Sequence, residues 1–344
     1  MKILFCSVPF RPSVGGIETV SALLAEQFHR QGHQVTVLTQ TPQGGGDASL
    51  PPLEPYAVVR RPSAARLWAL VRQADVVFHN NISLRMAWPL LLLRRPWVVA
   101  HHTWIPQQGV GRLKRWLLRW ATNISVSQAM ALSLPQPSLL VPNPYRSTLF
   151  RRMPGVARDG DIVFLGRLVS DKGASLLIDA LHRLCAGTEG PRLTLVGDGP
   201  ELAALRAQVR RLGLQEQVRF AGRQDGEALV QLLNQHRLLA VPSLWQEPFG
   251  LVALEALACG CVPVVAHSGG LPEAVGPCGR VVPQADVQAW ADALAALLAE
   301  AQTRDALLSG APAHLARHRP EAVAQAYLKV FEDACRSGSP ALAA

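Results

Sequence analysis

The chain has 344 residues and lacks the features that would mark a membrane-spanning, disulfide-stapled or metal-stapled protein. Its six cysteines, Cys6, Cys185, Cys259, Cys261, Cys278 and Cys335, include no Cys-x-x-Cys pair. Scattered thiols in apolar runs read as small buried hydrophobes in a reducing compartment. The close pair Cys259 and Cys261 is read as packing rather than as a soft-metal site. No acidic pair clusters with histidines at ligand spacing, so no metal is expected. The longest apolar stretches, such as 87–93, are far short of the roughly 20 residues that cross a bilayer. The start, MKILFCSVPF, has one Lys and a short apolar run ended by Pro9. It reads as a first buried strand, not a signal peptide. Low complexity is confined to QGGGDAS at 43–49 and to the last nine residues, 336–344, expected to form a flexible tail. No helix-turn-helix and no RNA-stacking aromatic motif is present, which argues against nucleic acid as a partner.

What is present is an ordinary globular composition, 49% apolar and 17% charged, with an uneven charge. Residues 1–150 carry 15 Lys and Arg against 5 Asp and Glu, whereas 151–344 carry 19 against 20. A basic half joined to a neutral half points to an anionic partner for the first, such as a phospholipid surface, a phosphorylated acceptor or nucleic acid, the last disfavoured by the missing motifs.

Short apolar runs alternate with helical patterns throughout. Strands are expected at 2–8, 34–40, 75–80, 96–102 and 123–127, and again at 161–166, 192–197, 217–222, 237–243 and 261–266. Helical segments lie between them, among them 174–186, 200–212 and 250–258. This alternation predicts an α/β protein of two Rossmann-like doubly wound domains, 1–150 and 151–335, with an interdomain cleft and ligands at the carboxyl ends of parallel strands.

Several motifs sit at such ends. VGDGPEL (196–202) half-matches a dinucleotide fingerprint, but Leu stands where the third small residue belongs. DGD (159–161) looks like a metal-binding pair, yet its place before a strand suggests loop solvation. GRLVSDKG (166–173) brings Arg167 and Lys172 around one turn, a fork and a point charge suited to a diphosphate. WQEPFGLVALEA (245–256) sets Glu247 and Glu255 eight positions apart. With Pro248 in a first turn, the helix should begin near Phe249 and Gly250, leaving the N–H groups of Gly250, Leu251 and Val252 for an anion. Eight helical residues span about 12 Å. That is wider than the roughly 5–9.5 Å pair of a glycosidase. The spacing suits carboxylates straddling a diphosphate, one at sugar hydroxyls and one at ribose hydroxyls, so the ligand implied is a nucleotide sugar.

The stretch EPFGLVALEALACGCVPVVAHSGGLPEAV closely resembles the E-x7-E signature of the retaining glycosyltransferases of family 4, which have the GT-B fold. VGGIETVSALLAEQFHRQGHQVTVLT, VPNPYRSTLF, GRLVSDKG, LVGDGPE and VRFAG occur in the family's order. The resemblance implies that Gly15 and Gly16 form the Gly-Gly loop near the donor phosphates. It puts Arg167 and Lys172 on the diphosphate, Glu247 by the donor sugar and Glu255 on the ribose. The HSGGLPE loop (267–273) would approach the donor, and His102, or the adjacent His101, would lie near donor sugar and acceptor. It further implies metal-independent transfer with retention, the nucleotide sugar serving as co-substrate and no cofactor being needed. Arg237 stands where the family has an apolar lead into a strand, and the short first domain argues against a large polysaccharide acceptor.

The expected reaction is therefore transfer of a sugar to a lipid-linked or cell-envelope glycan acceptor by a cytoplasmic enzyme, peripheral on the inner face of a membrane. A sugar-nucleotide epimerase of the same fold and a non-catalytic binding module are the alternatives. GRLKRWLLRW (111–120) bears on membrane docking: helical spacing puts Leu113, Trp116, Leu117 and Trp120 on one face, with Arg112, Lys114, Arg115 and Arg119 around it. Such a stripe serves either an interfacial helix or a crossover helix packed on its own sheet.

Overall fold

The computed structural model describes residues 1–13, 15–43, 54–185 and 190–337. Two compact units emerge, one formed by residues 1–144 with the chain from His318 onward, the other by 145–317.

The first unit holds seven strands: β1 (Lys2–Ser7), β2 (Gln34–Thr39), β3 (Ala57–Arg60), β4 (Val76–Asn80), β5 (Trp97–His101), β6 (Thr122–Ser125) and β7 (Ser138–Leu140). All pair in parallel in the order β3-β2-β1-β4-β5-β6-β7. The second unit repeats the plan with β8 (Gly160–Leu165), β9 (Leu193–Val196), β10 (Val218–Gly222), β11 (His236–Val241), β12 (Val262–Ala266) and β13 (Arg280–Val282). Its order is β10-β9-β8-β11-β12-β13, again parallel. In each sheet the winding reverses beside the first strand, between β1 and β4 and between β8 and β11. In doubly wound sheets the loops leaving the carboxyl ends of such strands diverge, and ligands bind there.

The central strands are buried on both faces, as their unbroken apolar runs require. The ten expected strands are present within two residues of their expected ends. The additional strands β3, β7 and β13 are three or four residues long and largely solvent-facing, too short and too polar-flanked to stand out as apolar runs. Both boundaries need correction. The first unit ends at residue 144 rather than 150, and residues 318–335, expected to close the second domain, return to the first unit, most of them in the helix Pro320–Ser337. Its Tyr327 and Phe331 join Phe5, Phe28 and Phe78 in one aromatic cluster, with the Phe78 and Phe331 ring centroids 5.1 Å apart. An amphipathic stripe announces that a helix must cover a sheet without saying which one. The expected flexible tail lies outside the described residues beyond Ser337, and residues 336 and 337 are the last turn of this helix; most of QGGGDAS is likewise outside them.

Two decoys acquire plain structural roles. Asp161 is not loop solvation but a β8 residue, accepting from the Arg237 guanidinium at 2.8 Å and from the Arg192 N–H at 3.0 Å. Arg237 thus lies within β11, not ahead of it, and its charge is paired across the sheet. In VGDGPEL, Gly197 has φ 140°, and a Cβ there would lie 1.8 Å from the Gly166 carbonyl oxygen. That glycine lets two strand-end loops touch, a packing demand that mimics a dinucleotide fingerprint.

Candidate active site

The second unit gathers its candidates at the β8/β11 reversal. After β8, residues 166–173 turn sharply, with the Lys172 N–H donating to the Val169 carbonyl at 3.1 Å. Arg167 is exposed on this turn and Lys172 half-buried. After β11, the chain continues through Pro242 and Ser243 to Glu247. The Asp171 carbonyl accepts from the Leu244 and Trp245 N–H groups at 2.8 and 3.1 Å, which fastens the two loops together. Lys172 Nζ and Glu247 Oε1 consequently meet at 2.5 Å, although 75 positions separate them in sequence.

A third loop, after β12, completes the mount of Glu247. The Gly270 N–H donates to the Glu247 carbonyl at 2.7 Å, Ser268 Oγ to the Trp245 carbonyl at 2.7 Å, and the Gly269 N–H to the Gln246 side chain at 3.0 Å. Gly269 has φ 54°, and a Cβ there would lie 2.0 Å from the Glu247 carbonyl oxygen. Gly269, the first glycine of HSGGLPE, is thus what allows this loop to close onto Glu247.

The helix after Glu247 runs Leu251–Ala258 with Gly250 as its cap, one to two residues later than expected. Pro248 therefore precedes the helix instead of occupying its first turn. Gly250 offers no side chain to the helix start, so no side-chain cap engages the first turn. Leu251 and Val252 are the first two helical residues, and the Ala253 N–H turns back to the Gly250 carbonyl at 3.1 Å. Phe249 is buried, so its side chain belongs to the core.

Glu255 lies on the second turn of this helix, 8% exposed. Burial raises its pKa from the usual 4.5 to about 7, and Arg146 pulls the other way. The Arg146 guanidinium stands 3.8 Å from Glu255 Oε1, too far for a hydrogen bond, and also lies over the Phe150 ring at 5.0 Å. Glu255 is thus a buried carboxylate with a loosely placed counter-charge, available to hydroxyl donors from a ligand.

In the first unit, Gly15 and Gly16 stand at the start of helix Gly16–Arg30, after β1. Glu18 folds over this start: a Cβ on Gly15 would come within 2.5 Å of its Oε2, and Ser13 Oγ donates to its Oε1 at 3.0 Å. The carboxylate is placed where a helix dipole favours negative charge, and a phosphate drawn to the same spot must displace it. Behind the helix, Asn80 on β4 donates to Ser21 Oγ at 2.7 Å, and Ser21 donates to the Ile17 carbonyl at 2.8 Å.

The structure separates the two adjacent histidines. His101 Nε2 lies 3.0 Å from Asn123 Oδ1, while Asn123 Nδ2 donates to the Leu118 and Ala121 carbonyls at 3.1 Å each. With the amide so fixed, His101 is the donor and its ring serves the sheet. His102 follows β5, its N–H donating to Asn81 Oδ1 at 2.8 Å, and its buried Nε2 has no protein partner. Burial lowers the pKa values of His101 and His102 to about 4 and about 3. His102 is therefore the neutral imidazole with a ring nitrogen left for a ligand.

The 111–120 stripe is divided. Leu117 is 4% exposed and packs with Leu118, Trp97 and Val99, while Leu113 and Trp116 are 48% and 46% exposed on helix Val110–Leu117. Arg119 lies 5.2 Å from the exposed Trp116 ring. Among the described residues no helix is long and apolar enough to cross a membrane, and no group of three His, Cys, Asp or Glu could hold a metal ion.

Sequence reading missed Ser243, Gln284 and Arg146. Ser243 sits just past β11 at the reversal, and a polar residue at that point is the signal that could have found it. Gln284, whose Nε2 donates to the Ser243 carbonyl at 3.1 Å, and Arg146, beside Glu255, reach the site only through tertiary contacts.

The glycosyl transferases group 1 model matches residues 150–313, and the glycosyltransferase family 4 model matches 14–136. A phosphatidyl-myo-inositol mannosyltransferase of Mycobacterium leprae is 30% identical over 364 residues, covering 94% of this chain and 95% of the relative. A D-inositol 3-phosphate glycosyltransferase of Corynebacterium jeikeium is 37% identical over 187 residues, 50% of this chain. That match spans 43% of the relative, so the alignment takes in less than half of its length. Among solved structures, Anabaena HepE in complex with UDP and glucose superposes with a TM-score of 0.79 at 23% identity, over 97% of this chain and 100% of the other. Sucrose-phosphate synthase from Thermosynechococcus elongatus gives 0.80 at 21% identity, over 98% and 100%. These two likenesses concern the fold. The chain belongs to glycosyltransferase family 4, with the two Rossmann-like domains of the GT-B fold.

Proposed function

We propose that this protein transfers a sugar, with retention of configuration, from a nucleotide-sugar donor to a lipid-linked or glycolipid acceptor of the cell envelope. The observation that carries the reading is the meeting of Lys172 and Glu247 at the β8/β11 reversal, beside the open helix start at Leu251 and the buried Glu255. A cation, uncapped N–H groups and two separated carboxylates are the complement of a sugar nucleoside diphosphate. Arg167 and Lys172 offset the charge that grows on the departing diphosphate, which is the task a divalent metal performs in other transferases, and the transfer is metal-independent in this reading. Leu251 and Val252 direct N–H groups to the same anion. Glu255 accepts the ribose hydroxyls. Glu247 binds hydroxyls of the transferred sugar, and neutral His102, in the first unit, keeps its Nε2 for a ligand. The names of the Mycobacterium leprae and Corynebacterium jeikeium relatives, a phosphatidylinositol and an inositol phosphate enzyme, support an acceptor of that class.

The exposed half of helix Val110–Leu117 favours work at a membrane surface. Val110, Leu113 and Trp116 recur every third residue and stay exposed, although Leu117 already supplies the contact with the sheet. Arg112 and Arg119 flank them in solvent, and Leu132 is exposed on the neighbouring helix Gln128–Ser133, tied by the Arg115 contact with the Ser133 carbonyl. Apolar side chains among cations suit the headgroup region of anionic lipid.

The test is transfer itself. Labelled UDP-, GDP- and ADP-sugars are incubated with the protein and anionic vesicles that include phosphatidylinositol. The expected product is a sugar joined to lipid in α linkage if the donor is α, with release of nucleoside diphosphate. Recovery of an isomerised nucleotide sugar and no transferred label would replace this reading by the epimerase.

A further inference from the structure

Ser243 is 1% exposed and belongs to none of the groups assigned to the donor above. Its Oγ lies 2.9 Å from Glu247 Oε1, and 3.3 Å from the carbonyls of both Asp171 and Trp245. A hydroxyl has one proton to donate. The nearer, charged acceptor takes it, since a hydrogen bond to a carboxylate is shorter and stronger than one to a carbonyl. Glu247 Oε1 therefore receives two donors from different loops, Ser243 Oγ and Lys172 Nζ. Two donors on one oxygen fix the rotation of the carboxylate and leave Oε2 for a ligand. Lys172 alone would not do so, because a flexible ammonium follows the carboxylate as it turns.

Ser243 is itself held rigidly. Gln284 Nε2 donates to its carbonyl at 3.1 Å and lies 3.3 Å from Ser268 Oγ, and Ser268 in turn donates to the Trp245 carbonyl at 2.7 Å. The hydroxyl thus projects from a point where the loops after β11 and β12 are locked together.

We propose that Ser243 is a positioning residue, which sets the orientation of the Glu247 carboxylate toward the transferred sugar while leaving the nucleotide grip to other groups. The proposal rests on the glycosyltransferase reading. It predicts a division between binding and turnover, because a nucleoside diphosphate without sugar has nothing for Glu247 to orient.

The test compares wild type, Ser243→Ala, Ser243→Thr, Glu247→Gln and the Ser243→Ala/Glu247→Gln double variant. Calorimetry with UDP, GDP and ADP reads nucleotide affinity, and turnover of UDP-glucose, GDP-mannose and ADP-glucose reads kcat and KM. Ser243→Ala should keep the wild-type affinity for the preferred diphosphate within about threefold and lose about 10- to 100-fold in kcat, the range expected for a hydrogen bond to a charged group. Ser243→Thr, which keeps the hydroxyl, should recover most of that loss. In the Glu247→Gln background, Ser243→Ala should lower kcat by less than about threefold, since residues acting as one unit are not additive. A wild-type protein that turns over donor while Ser243→Ala retains full kcat, or loses diphosphate affinity in parallel with kcat, or multiplies the Glu247→Gln defect, would overturn the role of Ser243 alone. A wild-type protein that binds none of the diphosphates and turns over no donor would overturn the glycosyltransferase reading and the role of Ser243 with it.

Discussion

Replacing Glu255 by Gln should make the protein more stable and less able to bind donor, with both effects governed by pH. In the unfolded chain the carboxyl titrates near 4.5, and in the folded protein burial raises it to about 7. Between those values the folded state holds a proton that the unfolded state has released, so ionising Glu255 lowers stability as pH rises through the window. The difference of two and a half pH units corresponds to about 3 kcal/mol, fully developed above pH 7. Glu255→Gln removes the charge and keeps the shape. Its stability relative to wild type should be near zero at pH 4.5 and should approach about +3 kcal/mol at pH 8. Buried neutral histidines, among them His79 and His102 with pKa values near 3, contribute with the opposite sign, since their stabilisation is lost as pH falls below 6.5. They are common to both proteins and cancel in the difference. Urea unfolding of the pair at pH 4.5, 6 and 8 measures it. Donor affinity should report the other side: if only the ionised carboxylate grips the ribose, wild-type affinity falls about tenfold from pH 8 to pH 6, while Glu255→Gln stays weak and flat. A stability difference that does not change with pH, or a wild type more stable than the variant at pH 8, would refute the uncompensated buried carboxylate.

Removing Arg146 should push Glu255 further up, because its charge opposes the effect of burial. Arg146→Ala should cost roughly three- to tenfold in donor affinity at pH 7, most of it regained at pH 9, and a loss independent of pH would assign Arg146 a direct contact instead. Arg167→Ala and Lys172→Ala should each lower turnover more than donor binding, by on the order of 2–4 kcal/mol in the barrier, and an unchanged rate would leave these cations to solvent. Glu247→Ala should impair turnover while leaving most of the nucleoside diphosphate affinity, as single-turnover kinetics beside calorimetry will show.

The fold was legible because its signal is local. A strand buried on both faces must be a short unbroken apolar run, and ten such runs in the expected places become β1, β2, β4, β5 and β6 and then β8 to β12. The edge strands β3, β7 and β13 are too short to carry that signal, and the allegiance of helix Pro320–Ser337 is decided by a distant aromatic cluster around Phe78. The candidate site was legible where motif and strand end coincide, as at Lys172 and Glu247, which the structure brings together. The pairing of their charges was not, since it depends on the Asp171 carbonyl fastening two loops. Telling His101 from His102 likewise required Asn123, which engages the Nε2 of His101, whereas the Nε2 of His102 has no protein partner. The stripe at Leu113, Trp116, Leu117 and Trp120 shows the same limit. Periodicity finds an apolar face, but only packing reveals that Leu117 is covered and Trp116 is not.

A crystal structure with an intact sugar nucleotide bound would test the central claim most directly. The account predicts the diphosphate against Arg167, Lys172 and the N–H groups of Leu251 and Val252, ribose hydroxyls on Glu255, and the sugar on Glu247. A sugar nucleotide lodged away from the β8/β11 reversal, with Lys172 still paired to Glu247 and Glu255 untouched, would contradict it.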